Sequence, residues 1–130
     1  MLGIKLGIFS ELDAAAAAEE DTAAFYGGRG VWGGGADSGT YDYNIIDYVT
    51  IATTSNATDF GDLTVGRYRS AACSNGTRGV FGGGYSSTNT IDYVTIATPS
   101  DATDFGDLTV KRSNLSACSD GTKGVFGGGL

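Results

Sequence analysis

The sequence predicts an all-β chain built as an array of four-stranded antiparallel units, and three observations carry that prediction. First, one stretch is stated twice: residues 46–65 read IDYVTIATTSNATDFGDLTV and residues 91–110 read IDYVTIATPSDATDFGDLTV, 45 residues apart. Only Thr54/Pro99 and Asn56/Asp101 differ. Second, a shorter marker keeps a similar beat: RGVWGGG from Arg29, RGVFGGG from Arg78 and KGVFGGG from Lys123. Self-similarity at this period marks an array of small supersecondary units. Third, 22 glycines and a single proline accompany a hydrophobic fraction of 41%. That fraction is too high for a disordered chain, and the Val, Ile, Thr and aromatic content favours strands.

The repeat divides the 130 residues into an N-terminal strand with an Ala-rich segment (1–21), a first unit (22–66), a second unit (67–112) and a half unit of two strands (113–130). Residues 2–9 read as a strand weakened by Gly3 and Gly7. Residues 11–22, ELDAAAAAEEDT, are the one helix-favouring stretch, at a length marginal for an isolated helix. Residues 22–26 open the first unit, Gly27 and Gly28 turn the chain, and residues 29–32 form a strand stopped by Gly33, Gly34 and Gly35. A loop over 36–44 carries Tyr41 and Tyr43. Residues 45–53 then alternate, with Ile46 and Tyr48 on one face and Asp47 and Val49 on the other. That period of two is a strand. A further short strand follows around Asp59, Phe60 and Leu63.

The second unit repeats this order. A strand over 70–74 leads to a hairpin turn at Asn75-Gly76, then a strand over 78–81, a loop four residues shorter than its predecessor, and strands over 91–98 and 102–110. The half unit starts at Asn114, turns at Asp120-Gly121 and runs through 123–126.

The stretch LTVGRYRSAACSNGTRGVFGGGY, residues 63–85, resembles the first half of a Kelch repeat: a basic residue, a small-residue strand, a turn, an apolar strand and a glycine doublet. Tyr93 and Phe105 stand near the family's aromatic positions. The chain departs from the pattern with Phe where Trp is usual and with three glycines where two are usual. The copies carrying TIDYVTIAT and ATDFGDLTV also resemble glycine-rich propeller repeats of phage structural and tail-associated proteins. These resemblances imply Kelch-like β-propeller blades with a repeat of 45–49 residues. Propellers have four to eight blades. Two full units and a half do not close a ring, so the expectation is closure by homo-oligomerisation. A dimer is preferred and a trimer is the runner-up. In the preferred arrangement residues 2–9 complete a neighbour's half unit. The implied role is non-enzymatic: a phage virion component of the tail, fibre or capsid surface, made in the host cytoplasm, with other virion proteins or glycans as partners. A lectin-like carbohydrate-binding module outside a virion is the alternative.

Charge and chemistry bound the rest. Fifteen acidic against eight basic residues give a net charge of −7, which argues against nucleic acid as a partner. No stretch approaches the length of about 20 apolar residues that a membrane span needs. The absence of histidine removes the usual general base and the commonest transition-metal ligand. No cofactor is expected. The repeated pairs Asp59/Asp62 and Asp104/Asp107 are the one candidate for Ca²⁺, with solubility of a turn and edge strand as the leading reading. Arg67, Arg69 and Arg112 precede the first strand of a unit and are candidates for an anion or a sugar carboxylate; pairing with nearby aspartates is the plainer alternative. Tyr41, Tyr43 and Tyr85 are candidates for partner contact from loops. Trp32 aligns with Phe81 and Phe126 and is expected in a core. Cys73 and Cys118, at one repeat position, are expected as small buried apolar residues. Gly33, Gly34, Gly82, Gly83, Gly127 and Gly128 are expected to let strands end against a neighbouring packed face, through positive φ and a missing Cβ.

Overall fold

The computed structural model describes residues 28–39, 42–85 and 88–130. The predicted strand over 2–9, the helix-favouring stretch 11–22, the opening strand 22–26 and Tyr41 lie outside the described residues. Nine strands are described: β1 (Arg29–Gly35), β2 (Tyr43–Thr50), β3 (Thr58–Asp62), β4 (Ala71–Ser74), β5 (Arg78–Gly82), β6 (Thr90–Thr95), β7 (Thr103–Asp107), β8 (Ser116–Ser119) and β9 (Gly124–Gly127). They form three antiparallel sheets, β1-β2-β3, β4-β5-β6-β7 and β8-β9. No helix among the described residues is long and apolar enough to cross a membrane.

Local chemistry explains the hairpins. At the β4–β5 turn, Asn75 Oδ1 accepts from the backbone N–H groups of Thr77 (3.0 Å) and Arg78 (2.7 Å). At the β8–β9 turn, Asp120 Oδ1 accepts from Thr122 (2.8 Å) and Lys123 (2.7 Å). Such short polar side chains mimic a backbone turn. Only the glycine of each Asn-Gly or Asp-Gly pair has positive φ, at Gly76 (91°) and Gly121 (89°), so the side chain of its predecessor shapes the turn.

The repeated TDFGD strand is a β-bulge. β2 pairs Ile46 with Gly61 and Asp47 with Asp59, and β6 pairs Ile91 with Gly106 and Asp92 with Asp104. The unpaired residue is Phe60 in one copy and Phe105 in the other, each meeting a tyrosine edge-on: Tyr48–Phe60 at 5.6 Å and Tyr93–Phe105 at 6.0 Å. A bulge of this kind re-aims a side chain out of the ladder.

The core lies between the first and second sheets. Ile46, Phe60 and Leu63 meet Phe81 and Val94, all five buried. Full burial of such side chains stabilises by about 1.5–3 kcal/mol each. Alternation places Val94 and Asp92 on the face of β6 turned to the first sheet. Arg29 Nη1 adds a bond of 2.7 Å to the Ile96 carbonyl across the same interface.

The glycine runs divide their work. A Cβ on Gly33 would lie 3.0 Å from Phe81, and one on Gly82 would lie 2.8 Å from Phe126, so the first glycine makes room for the next sheet's phenylalanine. The second supplies left-handed backbone: Gly34 (φ 78°) and Gly83 (φ 65°) lie where a Cβ would meet the carbonyl oxygens of Arg67 and Arg112. Gly127 and Gly128 have the same character with nothing within 4 Å. The glycines stop the strand as expected at β5 and β9, which end at Gly82 and Gly127, but not in the first unit: β1 runs through to Gly35, because Gly33 still pairs with Ile46 and Gly35 with Tyr43 around an irregularity at Gly34.

Two further expectations are corrected. Trp32 is 58% exposed, whereas Phe81 is 3% exposed. Phe81 has the first sheet's Gly33 to pack on, and no described sheet precedes β1. The cysteines are not both buried: Cys73 is half-buried against Gly124, and Cys118 is exposed. Both are free thiols.

Candidate functional site

The three candidate arginines have three different fates. Arg67 is wholly buried and pairs with the wholly buried Asp92. Its Nη1 donates to the Thr90 carbonyl at 2.8 Å. Asp92 also accepts from Thr64, through the backbone N–H at 3.1 Å and the hydroxyl at 2.6 Å. Burial lowers the Arg67 pKa, and Asp92 opposes that shift. The Arg67 backbone belongs to the first sheet's surroundings: its N–H donates to Tyr43 O (3.1 Å) and its carbonyl accepts from Gly35 (2.9 Å). The residue therefore joins the linker and first sheet to a strand of the second. This arginine is held in a side-chain pair, with an aspartate 25 positions away and not with one near it in sequence.

Arg69 turns outward. Its φ is 59°, a left-handed conformation, and its carbonyl accepts from Asn114 N at 3.0 Å. Its guanidinium lies 5.3 Å from the Tyr68 ring centroid and 5.8 Å from that of Tyr85. The two rings are themselves 4.9 Å apart. Cation–π contact holds such a guanidinium over a ring without neutralising it. Arg112 keeps one bond, from Nη1 to Gly128 O at 3.0 Å.

Arg69, Tyr85, Lys111, Arg112 and Asn114 line one open pocket of about 370 Å³ between the second and third sheets. The one ion pair among the described residues is Arg67–Asp92, so three cations converge here without a carboxylate partner. Sequence reasoning placed Arg69, Arg112 and Tyr85 as candidates and missed Lys111 and Tyr68. The missed signal is the linker itself: GRYRS at 66–70 answers KRSNL at 111–115, and only the arginine is common.

The other candidates lie apart from this pocket. Tyr43 starts β2 and donates its hydroxyl to Asp37 Oδ2 at 2.6 Å, closing its own loop. Asp59, Asp62, Asp104 and Asp107 stand on the two bulged strands, and no group of three or more potential metal ligands forms among the described residues. Asp59 Oδ1 instead accepts from Gly61 N at 3.2 Å, and Asp104 Oδ1 from Gly106 N at 3.2 Å.

The two bulges differ in what covers them. A Cβ on Gly61 would lie 2.5 Å from the Ser100 backbone, because the β6–β7 turn seats there; Ala102 N donates to Asp62 O at 2.8 Å. Gly106 has nothing within 4 Å. Phe60 is 2% exposed and Phe105 is 54% exposed. The open face of the second sheet borders a cleft of about 330 Å³ whose walls include Val80, Ile91, Phe105 and Phe126.

No protein-family model matches this chain, and the search of curated proteins likewise finds no match.

Proposed function

We propose that the chain is a non-enzymatic structural and binding module whose sheets are Kelch-like propeller blades in a ring shared between copies of the chain. The observation that carries this reading is the inequality of two near-identical faces. Ile46, Phe60 and Gly61 are covered by the next sheet, while Phe105 and Gly106 stand open with the same geometry. A face already shaped to receive a β6–β7-like turn fits best with the repeated element of a second copy. Exposed apolar faces of this kind mark association surfaces. A dimer of six blades is preferred over a trimer. The resemblance of the repeats to phage propeller repeats supports placement in a virion, as a tail, fibre or capsid-surface component. A carbohydrate-binding module outside a virion is the second reading, favoured by the cationic pocket beside Tyr85.

The test is the absolute mass in solution by light scattering, with Phe105→Ala, a change at a side chain 54% exposed, as the companion variant. The expected result is a closed dimer that Phe105→Ala dissociates while leaving a folded monomer. A wild-type monomer at high concentration overturns the shared ring.

A further inference from the structure

We propose that the pocket formed by Arg69, Lys111 and Arg112 with Tyr85 binds an acidic saccharide, a pyranose carrying a carboxylate. The inference rests on the reading of the chain as a binding module, and it names the ligand class.

The first support is where the repeat breaks its own symmetry. The two 20-residue copies at 46–65 and 91–110 differ at two positions, whereas four of the five linker positions at 66–70 and 111–115 differ. Three of the pocket's features fall on those differences. Lys111 stands where the other copy has Gly66, Tyr68 where it has Ser113, and Arg69 where it has Asn114. Packing accounts for Gly66, where a Cβ would collide with the Asp42 carbonyl oxygen, but it does not ask for the cations at Arg69 and Lys111, both of them exposed.

The second support is that Arg69 holds an unfavourable backbone. Arg69 (φ 59°) and Asn114 (φ 55°) occupy the same left-handed position. Asparagine adopts that conformation readily and arginine does not. A strained residue persists where something other than local stability retains it. Here the strain places a guanidinium over two tyrosine rings at the pocket mouth.

The third support is charge. In a chain of net charge −7, three of the eight basic residues meet in one pocket, and among the described residues no acidic side chain lines it, Leu130 being the apolar member of its wall. Unneutralised like charges repel one another, and an anionic ligand relieves that repulsion. The planar Arg69 fork suits a carboxylate, which takes two parallel hydrogen bonds from it. Lys111 and Arg112 add charge. Tyr85, 51% exposed, offers ring surface to the apolar face of a sugar. Ser113 and Asn114 also line the pocket and supply its polar groups other than the cations. The volume, about 370 Å³, lies near the lower bound of ordinary ligand pockets, about 300 Å³.

The experiment is calorimetric titration of the full chain with sialyllactose, with an oligogalacturonate, and with lactose as the neutral control. Arg69→Asn and Lys111→Gly are the variants, because each installs the other repeat's residue. Light scattering on the same samples reports assembly separately, so failure of the ring and failure of the site are told apart. Saturable binding of one or both acidic sugars is expected, weakened by salt, at least 10-fold weaker in Arg69→Asn, and absent with lactose. Sialyllactose against oligogalacturonate distinguishes a terminal sialic acid from a uronic acid chain. The proposal is overturned if neither acidic sugar binds at millimolar concentration. Unchanged affinity in both variants, or tighter binding of a polyglutamate peptide than of either sugar, overturns it as well.

Discussion

Replacing Arg67 by methionine removes one half of an ion pair in which both side chains are fully buried. Asp92 is then left with two bonds from Thr64 and no counter-ion. Breaking a buried pair from one side costs about 3–5 kcal/mol, a large part of a domain stability of about 5–15 kcal/mol. The opposite change, Asp92→Leu, is expected to cost at least as much. A buried carboxyl sheds its charge by taking up a proton, whereas a guanidinium cannot. Arg67 would keep only its bond to the Thr90 carbonyl, and its Nε already lacks a partner among the described residues. The double variant Arg67→Met/Asp92→Leu removes both charges and is expected to be more stable than either single variant. The assay is urea denaturation at one fixed protein concentration, because the proposed assembly would couple to stability. Single-variant losses below about 1 kcal/mol, the range of surface pairs, would refute the reasoning. So would a double variant whose loss equals the sum of the two singles.

Other outcomes follow from the same structure. Phe60→Ala is expected to cost about 3–5 kcal/mol, while Phe105→Ala in the same repeat position leaves the monomer's urea midpoint nearly unchanged and weakens association seen by light scattering. Cys118 is expected to react with iodoacetamide before Cys73 in timed mass spectrometry, because burial, and secondarily the neighbouring Cys118, raises the Cys73 pKa. Backbone N–H bonds from Lys123 and then Thr122 lower the Asp120 pKa, so its contribution is present above the usual carboxylate value of about 3.9 and is lost as pH falls through the depressed one. Amide exchange at Thr122 and Lys123 is therefore expected to accelerate in acid, and at Thr77 and Arg78 to change less, since Asn75 does not titrate.

The strands were legible because hydrophobic alternation and turn chemistry are local. Both hairpins, at Asn75-Gly76 and Asp120-Gly121, stand where they were read, and the repeat located two DFGD strands. What DFGD does was not legible. It reads as a carboxylate pair, yet its geometry is a bulge that turns Phe60 into the core and leaves Gly61 bare for the next turn. That purpose depends on a contact with residues 100–102, about forty positions away. The Arg67–Asp92 pair was hidden for the same reason, since 25 residues separate its members. One signal did exist. Asp47 and Asp92 sit on the same strand face as Val49 and Val94, and a repeated acid beside an apolar residue asks for a partner. Trp32 misled because its alignment with Phe81 reports repeat position, not whether a preceding sheet is there to cover it.

The Arg67 latch also has a geometric consequence. Its main chain is bonded to β1 and β2, while its side chain is bonded to β6, so the first two sheets cannot rotate against each other without breaking a buried charge contact. The angle between successive sheets is thereby held at one value. In a ring of wedges that angle sets the curvature, and the curvature sets how many wedges close the circle. Arg112 repeats Arg67 at the next junction. Under the shared-ring proposal, an acid meeting Arg112 there would impose the same angle again and so bear on the number of wedges; among the described residues its side chain is bonded to the Gly128 carbonyl instead.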